Sequence, residues 1–210
     1  KRKSELKALQ SQINPHFLYN TLDSIIWMAE GRKYEEVVLM TASLARLLRQ
    51  SISNEDEVVP LAREVEYAKG YLTIQKMRYK DKLEFEINVE PSILNIPLIK
   101  LVLQPIIENA IYHGLKYKES KGLLQVKGFM KDGNAVLQVI DNGVGMDEET
   151  LAHIYDKHKV NYHSNGVGVY NVQKRLQLYY GKEYGLVYES MPGMGTGVSV
   201  IIPAEGGEES

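Results

Sequence analysis

The sequence predicts two architectures in series: an α-helical hairpin, then an α+β sandwich with helices covering one face of a single mixed sheet. Three observations predict this. From residue 4 to about 53, apolar residues recur at intervals of three and four. The period then changes to two, with Leu83, Phe85, Ile87 and Val89 alternating with Glu84, Glu86 and Asn88. Beyond that point, strand runs are mixed with segregated helices, the mark of an α+β layer rather than a repeating βαβ unit.

In chain order, Leu6, Leu9 and Ile13 open the helical spacing, and Leu18, Leu22 and Ile25 extend it. Gly31 punctuates the run, and Val37, Met40, Leu44 and Leu47 form the seam of a second arm. Two helices bury little surface alone, so a homodimer with a four-helix bundle is expected. Polar Asn54-Glu55-Asp56-Glu57 ends this first domain, residues 1–58. The second domain, 59–210, begins with a linker helix at about 61–77. The strand at 83–89 follows, then a helix expected over 97–115. Strands at 123–130 and 135–141 form a hairpin through Lys131-Asp132-Gly133-Asn134, whose residues suit a tight turn. A loop-rich stretch covers 147–165, a helix 169–180, and strands 185–190 and 197–202 close the sheet. Residues 204–210 read as a small, acidic tail.

Composition narrows the function classes. The 210 residues are 44% hydrophobic and 25% charged, which is ordinary for a folded globular chain. A net charge of −2 supplies no basic field for nucleic acid. With no cysteine, disulfides and thiolate metal sites are excluded. No apolar run reaches the ~18 residues of a membrane span. The chain opens on Lys1-Arg2-Lys3 without methionine, which fits a fragment lying just cytoplasmic of a membrane helix. A solvated start to a charged helix fits those three residues equally well.

Chemistry concentrates in a few segments. In Asn14-Pro15-His16-Phe17-Leu18-Tyr19-Asn20, a proline inside a helix would remove a backbone donor at ~3 kcal/mol, bend the chain beside His16 and free the Ser11 carbonyl. Helical spacing puts the amides Gln12 and Asn20 four residues either side of His16, where they can select one imidazole tautomer. Further on, Glu108-Asn109 begins a run through His113 and Lys116. Asn109 offers a neutral carbonyl oxygen suited to Mg²⁺, while His113 and Lys116 lie where phosphate oxygens could be met. Asp141-Asn142-Gly143-Val144-Gly145 directly follows an apolar strand. A carboxylate there can accept from the adenine exocyclic amine, and Gly143 and Gly145 permit close backbone approach. Gly166 and Gly168 open a helix, whose N-terminal amides suit phosphate. The P-loop pattern is missing from the sequence. His153, His158 and His163, spaced by five, do not share a helix face as zinc ligands would and read as solvated.

The Asn14–Asn20 segment resembles the phosphoacceptor box of the LytS/YesM-type sensor histidine kinases. Residues 103–114 resemble the N box of that family and of the wider GHKL ATPases, and the resemblance runs from about residue 5 to 203. It implies a GHKL/Bergerat ATP-binding sandwich, with ATP and Mg²⁺ as cofactors. It assigns phosphoryl acceptance to His16, adenine recognition to Asp141 and Thr196, and triphosphate contact to the Gly166–Gly168 box. Residues 147–165 would be the ATP lid. Many histidine kinases place an acid directly after the histidine; here Phe17 stands there, and Glu108 is the candidate base. Tyr112 stands where a lysine is often found. Asn20 is the candidate for a reverse, phosphatase reaction. Implied partners are a second copy of the chain, a response-regulator receiver domain, and an upstream sensor in a bacterial membrane, the chain being the cytoplasmic portion. Two rivals are a GHKL ATPase that hydrolyses ATP for conformational work and a non-catalytic nucleotide-binding scaffold.

Overall fold

A computed structural model describes residues 14–52, 58–116, 118–155 and 166–204. These fall into two compact units. The first comprises the described residues up to 52 together with 66–80; the second comprises 58–65 and the described residues from 81 onward.

In the first unit, helix α1 (Pro15–Glu30) turns at Gly31 into helix α2 (Tyr34–Ile52). Asn14 is extended (φ −60°, ψ 116°), and its side chain accepts from the His16 amide at 3.0 Å, capping α1. Pro15 therefore occupies the first helical position, where its missing N–H costs nothing, and not the interior expected from the spacing. The Ser11 carbonyl and Gln12 lie outside the described residues. Arg32 turns the chain with φ 56°, and the Lys33 amide bonds the Met28 carbonyl at 2.9 Å.

The buried stripe on α2 is the expected Met40, Leu44 and Leu47. On α1 it is Phe17, Thr21 and Met28 and not the expected Leu18, Leu22 and Ile25; the first two lie one position before their expected counterparts and Met28 three beyond Ile25. Thr21 can be buried because its hydroxyl donates to the Phe17 carbonyl at 2.8 Å. Helix α3 (Leu61–Tyr79) supplies Tyr71 against Phe17, with ring centroids 4.7 Å apart. Tyr19, Ile26, Trp27, Val38 and Leu39 remain exposed, an apolar surface that these helices leave uncovered.

The second unit opens on strand β1 (Val58–Pro60), which pairs antiparallel with β3 (Pro97–Ile99). Strands β2 (Leu83–Val89), β4 (Gly122–Lys131), β5 (Asn134–Asp141), β6 (Gly185–Met191) and β7 (Gly195–Pro203) form one sheet in the order β2-β4-β5-β7-β6. Only β2–β4 is a parallel pair; the other neighbours are antiparallel, so the sheet is mixed as expected. Leu124, Val126, Leu137, Val139, Val198 and Val200 are buried along its inner face. Leu103, Ile106 and Ile107 of helix α4 (Leu103–Asn109) and Val169, Val172 and Leu176 of α6 (Gly166–Tyr180) are equally buried. A short helix, α5 (Glu148–Ala152), is capped by the Asp147 side chain.

The helix expected over 97–115 is shorter at its start. Pro97–Ile99 is held as a strand by β1, and Leu101 adopts φ 61°, which no helix accommodates. The chain becomes helical at Leu103 and, past Asn109, loosens into a π-helical segment, Ala110–Leu115. Such segments are rare and recur at functional positions.

Candidate functional site

Asp141 ends β5 facing Thr196 of β7, with Leu124 of β4 on its other side. Strand alternation puts it on the same inner face as Val139, so the carboxyl is 6% exposed. Burial pushes its pKa up, while the amides of Gly143 (2.8 Å) and Thr196 bond the carboxylate and pull the other way. The chain after Asp141 is locked against the π-helical segment. The Val144 amide donates to the Gly114 carbonyl at 3.0 Å, and a Cβ on Gly143 would sit 2.0 Å from that same oxygen. Only glycine fits there. Gly145 has φ +69° and would put a Cβ 1.9 Å from the Met191 carbonyl oxygen.

Sequence reasoning missed Ser190. Its hydroxyl accepts from the Met146 amide at 2.8 Å, lies 2.7 Å from the Thr196 hydroxyl, and donates to the Gly195 carbonyl at 3.0 Å. It ties the glycine turn to the last two strands. Tyr188 was also missed. Its hydroxyl is buried with no hydrogen-bond partner among the described residues, and burial first, then Tyr155 and Asp141, push its pKa up. Neither residue carries a sequence signal beyond its place in an alternating strand.

On α4, Asn109 presents a buried Oδ1 that no group among the described residues bonds. A buried oxygen without a donor is a costly arrangement unless a ligand completes it, and an amide oxygen suits a hard cation. Glu108, beside it, has its pKa raised from 4.5 to about 7 by burial, with Gln104 bonding its Oε1 at 3.1 Å and opposing that rise. A carboxyl titrating near neutrality suits proton transfer. Burial and then the Lys116 charge hold the His113 pKa below its ordinary value, favouring the uncharged ring. Lys116 lies 4.3 Å above the Tyr112 ring.

The structure thus brings Asp141, Gly143, Gly145 and Thr196 into one bonded turn, with Gly114, next to His113, against it. Gly166 does open a helix, and Gly168 lies in its first turn. Among the expected lid histidines, His153 follows α5, whereas His158 and His163 lie outside the described residues. A cleft of about 280 Å³ includes Gln138, Ile140, Glu189 and Ser199 in its lining. Strand alternation puts those four on the sheet face opposite Val139, while Asp141, Ser190 and Thr196 also border the cleft.

In the first unit, His16 is exposed on the first turn of α1, and its Nδ1 lies 2.8 Å from the Asn20 amide nitrogen. The i, i+4 relation expected of this pair is therefore present. An exposed imidazole held by a neighbouring amide can offer a ring nitrogen as a nucleophile.

Comparison with known proteins agrees with this geometry. The family "Histidine kinase" matches residues 4–83, and the family "Histidine kinase-, DNA gyrase B-, and HSP90-like ATPase" matches residues 95–206. The sensor histidine kinase YesM of Bacillus subtilis is 35% identical over 96% of the chain, and the alignment covers 34% of YesM. The sensor protein LytS of Oceanobacillus iheyensis is 31% identical over 96% of the chain and 35% of its own length. The chain therefore spans about a third of the length of these relatives. The histidine kinase domain of the blue-light activated kinase EL346 from Erythrobacter litoralis shares the fold. Its TM-score is 0.53 at 17% identity, covering 96% of this chain and 94% of that one.

Proposed function

The chain belongs to the LytS/YesM-type sensor histidine kinases, and its second unit to the histidine kinase-, DNA gyrase B-, and HSP90-like ATPases; from that premise we propose that it moves the γ-phosphoryl group of ATP to His16 and from there to an aspartate of a response-regulator receiver domain. Proposed limits are 1–58 for the phosphoacceptor domain and 59–210 for the ATP-binding domain. One observation carries the reading most directly: a carboxyl titrating near neutrality, Glu108, adjoins a buried amide oxygen, Asn109, without a partner among the described residues, on a helix that reaches the Asp141 turn.

Asp141 and Thr196 would hold the adenine, the carboxylate accepting from its exocyclic amine. The Gly166–Gly168 amides, with His113 and Lys116, would meet the phosphates. Asn109 would hold Mg²⁺, which when bound neutralises charge on the transferring group. Glu108 then takes the proton that His16 releases as its nitrogen bonds phosphorus and the bond to the β–γ bridging oxygen breaks. Asn20, already on the His16 ring, is the residue for reverse hydrolysis on the regulator.

The exposed apolar residues of α1 and α2 support a homodimer, a second copy covering Trp27, Val38 and Leu39. No helix among the described residues is long and apolar enough to cross a membrane. Relatives three times as long, named as sensors, support placing this chain as the cytoplasmic portion of a membrane-borne sensor.

Incubation with γ-³²P-ATP and Mg²⁺ tests the proposal. Acid-labile, alkali-stable label should appear on the wild type and vanish in His16→Gln and Asn109→Ala. Phosphate release to water without phosphoprotein would instead identify an ATPase, and label surviving His16→Gln would sink the assignment.

A further inference from the structure

A buried carboxyl, Glu64, and a half-buried guanidinium, Arg175, take no part in the chemistry above. Glu64, in the first turn of α3, is 6% exposed. Its Oε1 accepts from the amides of Val102 at 2.7 Å and Leu103 at 3.4 Å. Those amides open α4, whose own N-cap residue, Val102, supplies no side-chain bond. A helix start needs acceptors for its first N–H groups, and Glu64 supplies one from another helix.

A second hold comes from α6. The Arg175 guanidinium donates to the Leu101 carbonyl at 3.2 Å and to the Lys100 carbonyl. Five residues along α6, the Tyr180 hydroxyl accepts from the Ile99 amide at 3.2 Å. Leu101 sits between these grips with φ 61°, a conformation a leucine keeps only where its surroundings impose it. Burial pushes the Glu64 pKa up, while its bonds from the Val102 and Leu103 amides and then the Arg175 charge pull the other way.

We propose that Glu64 and Arg175 are positioning residues of the nucleotide site, jointly fixing the start of the helix that carries Glu108 and Asn109 and tying it to the helix that opens at Gly166. The inference rests on the reading of those two helices as the ATP-binding elements. A helix moves as a rod, so slippage at Leu103 is carried to Asn109, six residues on. The donors of Arg175 match two successive carbonyls, a fit that a lysine lacks.

The test uses the whole chain with Glu64→Ala, Glu64→Gln, Arg175→Ala and Arg175→Lys. Amide hydrogen exchange and Mg-ATP calorimetry are measured on each, and the ATP dependence of autophosphorylation gives KM and kcat. In both alanine variants, exchange at Val102 and Leu103 should accelerate by at least about tenfold while β5 and β7 stay protected. Mg-ATP affinity should fall, and KM should rise, by about tenfold or more. Glu64→Gln should recover part of the affinity through its amide oxygen, whereas Arg175→Lys should not. Loss of structure alone would lower the active fraction and leave KM unchanged. An unchanged KM and affinity in folded variants, or exchange accelerating evenly across the sheet, would overturn the proposal. Wild-type protein that failed to bind Mg-ATP would overturn the nucleotide reading; exchange at Val102 would still decide whether the pair holds the helix start.

Discussion

The two units place reactive groups in opposite ways. His16 is exposed, and the bonds described around it come from Asn14 and Asn20, two and four residues away. Asp141 is buried and, besides the nearby Gly143 amide, is held by groups distant in sequence: Gly114 closes its turn, Thr196 faces it across the sheet, and Ser190 ties Thr196 to Met146. A phosphoacceptor must be offered to two different partners, which local helix geometry permits. A nucleotide base must be told from others, which takes fixed donors and acceptors held against water. Changes in the hairpin should therefore alter chemistry with little loss of structure, and changes in the sheet unit should do both.

The largest contrast is between His16→Gln and Asp141→Asn. The first should lower labelling by at least about 10³-fold, because no other group supplies the attacking nitrogen. Its thermal unfolding and ATP affinity should match wild type. Asp141→Asn puts a donor amide beside the Gly143 and Thr196 amides, and Mg-ATP affinity should fall by about 10²-fold in calorimetry. Equal ATP affinity in the two variants would erase the distinction between an exposed acceptor and a built site.

Gly143→Ala sharpens the same point without touching charge. The added methyl would lie 2.0 Å from the Gly114 carbonyl oxygen, so the glycine turn and the π-helical segment must part. Destabilisation of about 3 kcal/mol is expected, in the upper range for an overpacked site, with loss of nucleotide binding. Chemical denaturation read from the sheet unit measures it. A variant of wild-type stability would mean that this crossing is loose.

Glu108 offers a test by pH. Burial raises its pKa from 4.5 to about 7, so the folded state favours the protonated form. Its contribution to stability is complete below pH 4.5 and is lost as pH rises through about 7, the whole change being roughly 3 kcal/mol. Glu108→Gln should flatten that loss in denaturation curves recorded between pH 5 and pH 8. Activity runs the other way, since a base must be deprotonated: the wild-type autophosphorylation rate should climb through pH 7 and then level off. A flat profile from pH 6 to 8 would remove Glu108 from the role of base.

Where pattern and structure share a period, the fold could be read from the sequence. Strand β2 alternates plainly in sequence and β4 alternates in burial because one side of each meets the helices, and Asp132-Gly133 marks the turn from β4 to β5. The start of α4 was not legible. Pro97–Ile99 is apolar and continuous with the helix, and only pairing with Val58–Pro60, some forty residues earlier, makes it a strand. Asp141 could be found because it ends a strand and enters a glycine turn. Glu64 could not, since a glutamate in an amphipathic helix looks like surface charge until its burial is known.

The smallest expected effect lies where sequence and structure differed over Pro15. A proline inside a continuous helix would make Asn14 an ordinary helical residue, and Asn14→Ala would then leave stability unchanged or improve it slightly, because alanine has the better helix propensity. The structure instead gives Asn14 an extended backbone and a side chain that accepts from the His16 amide at 3.0 Å, with Pro15 at the first helical position. Removing that cap should cost about 1 kcal/mol. The loss should be confined to the hairpin, with faster amide exchange at His16 and Phe17 and no change in Mg-ATP affinity. Because the cap also sets the backbone of the residue it bonds, labelling of His16 should slow by a few-fold while KM for ATP stays constant. A fall in ATP affinity would contradict local control of the acceptor, and a stability gain would restore the continuous helix.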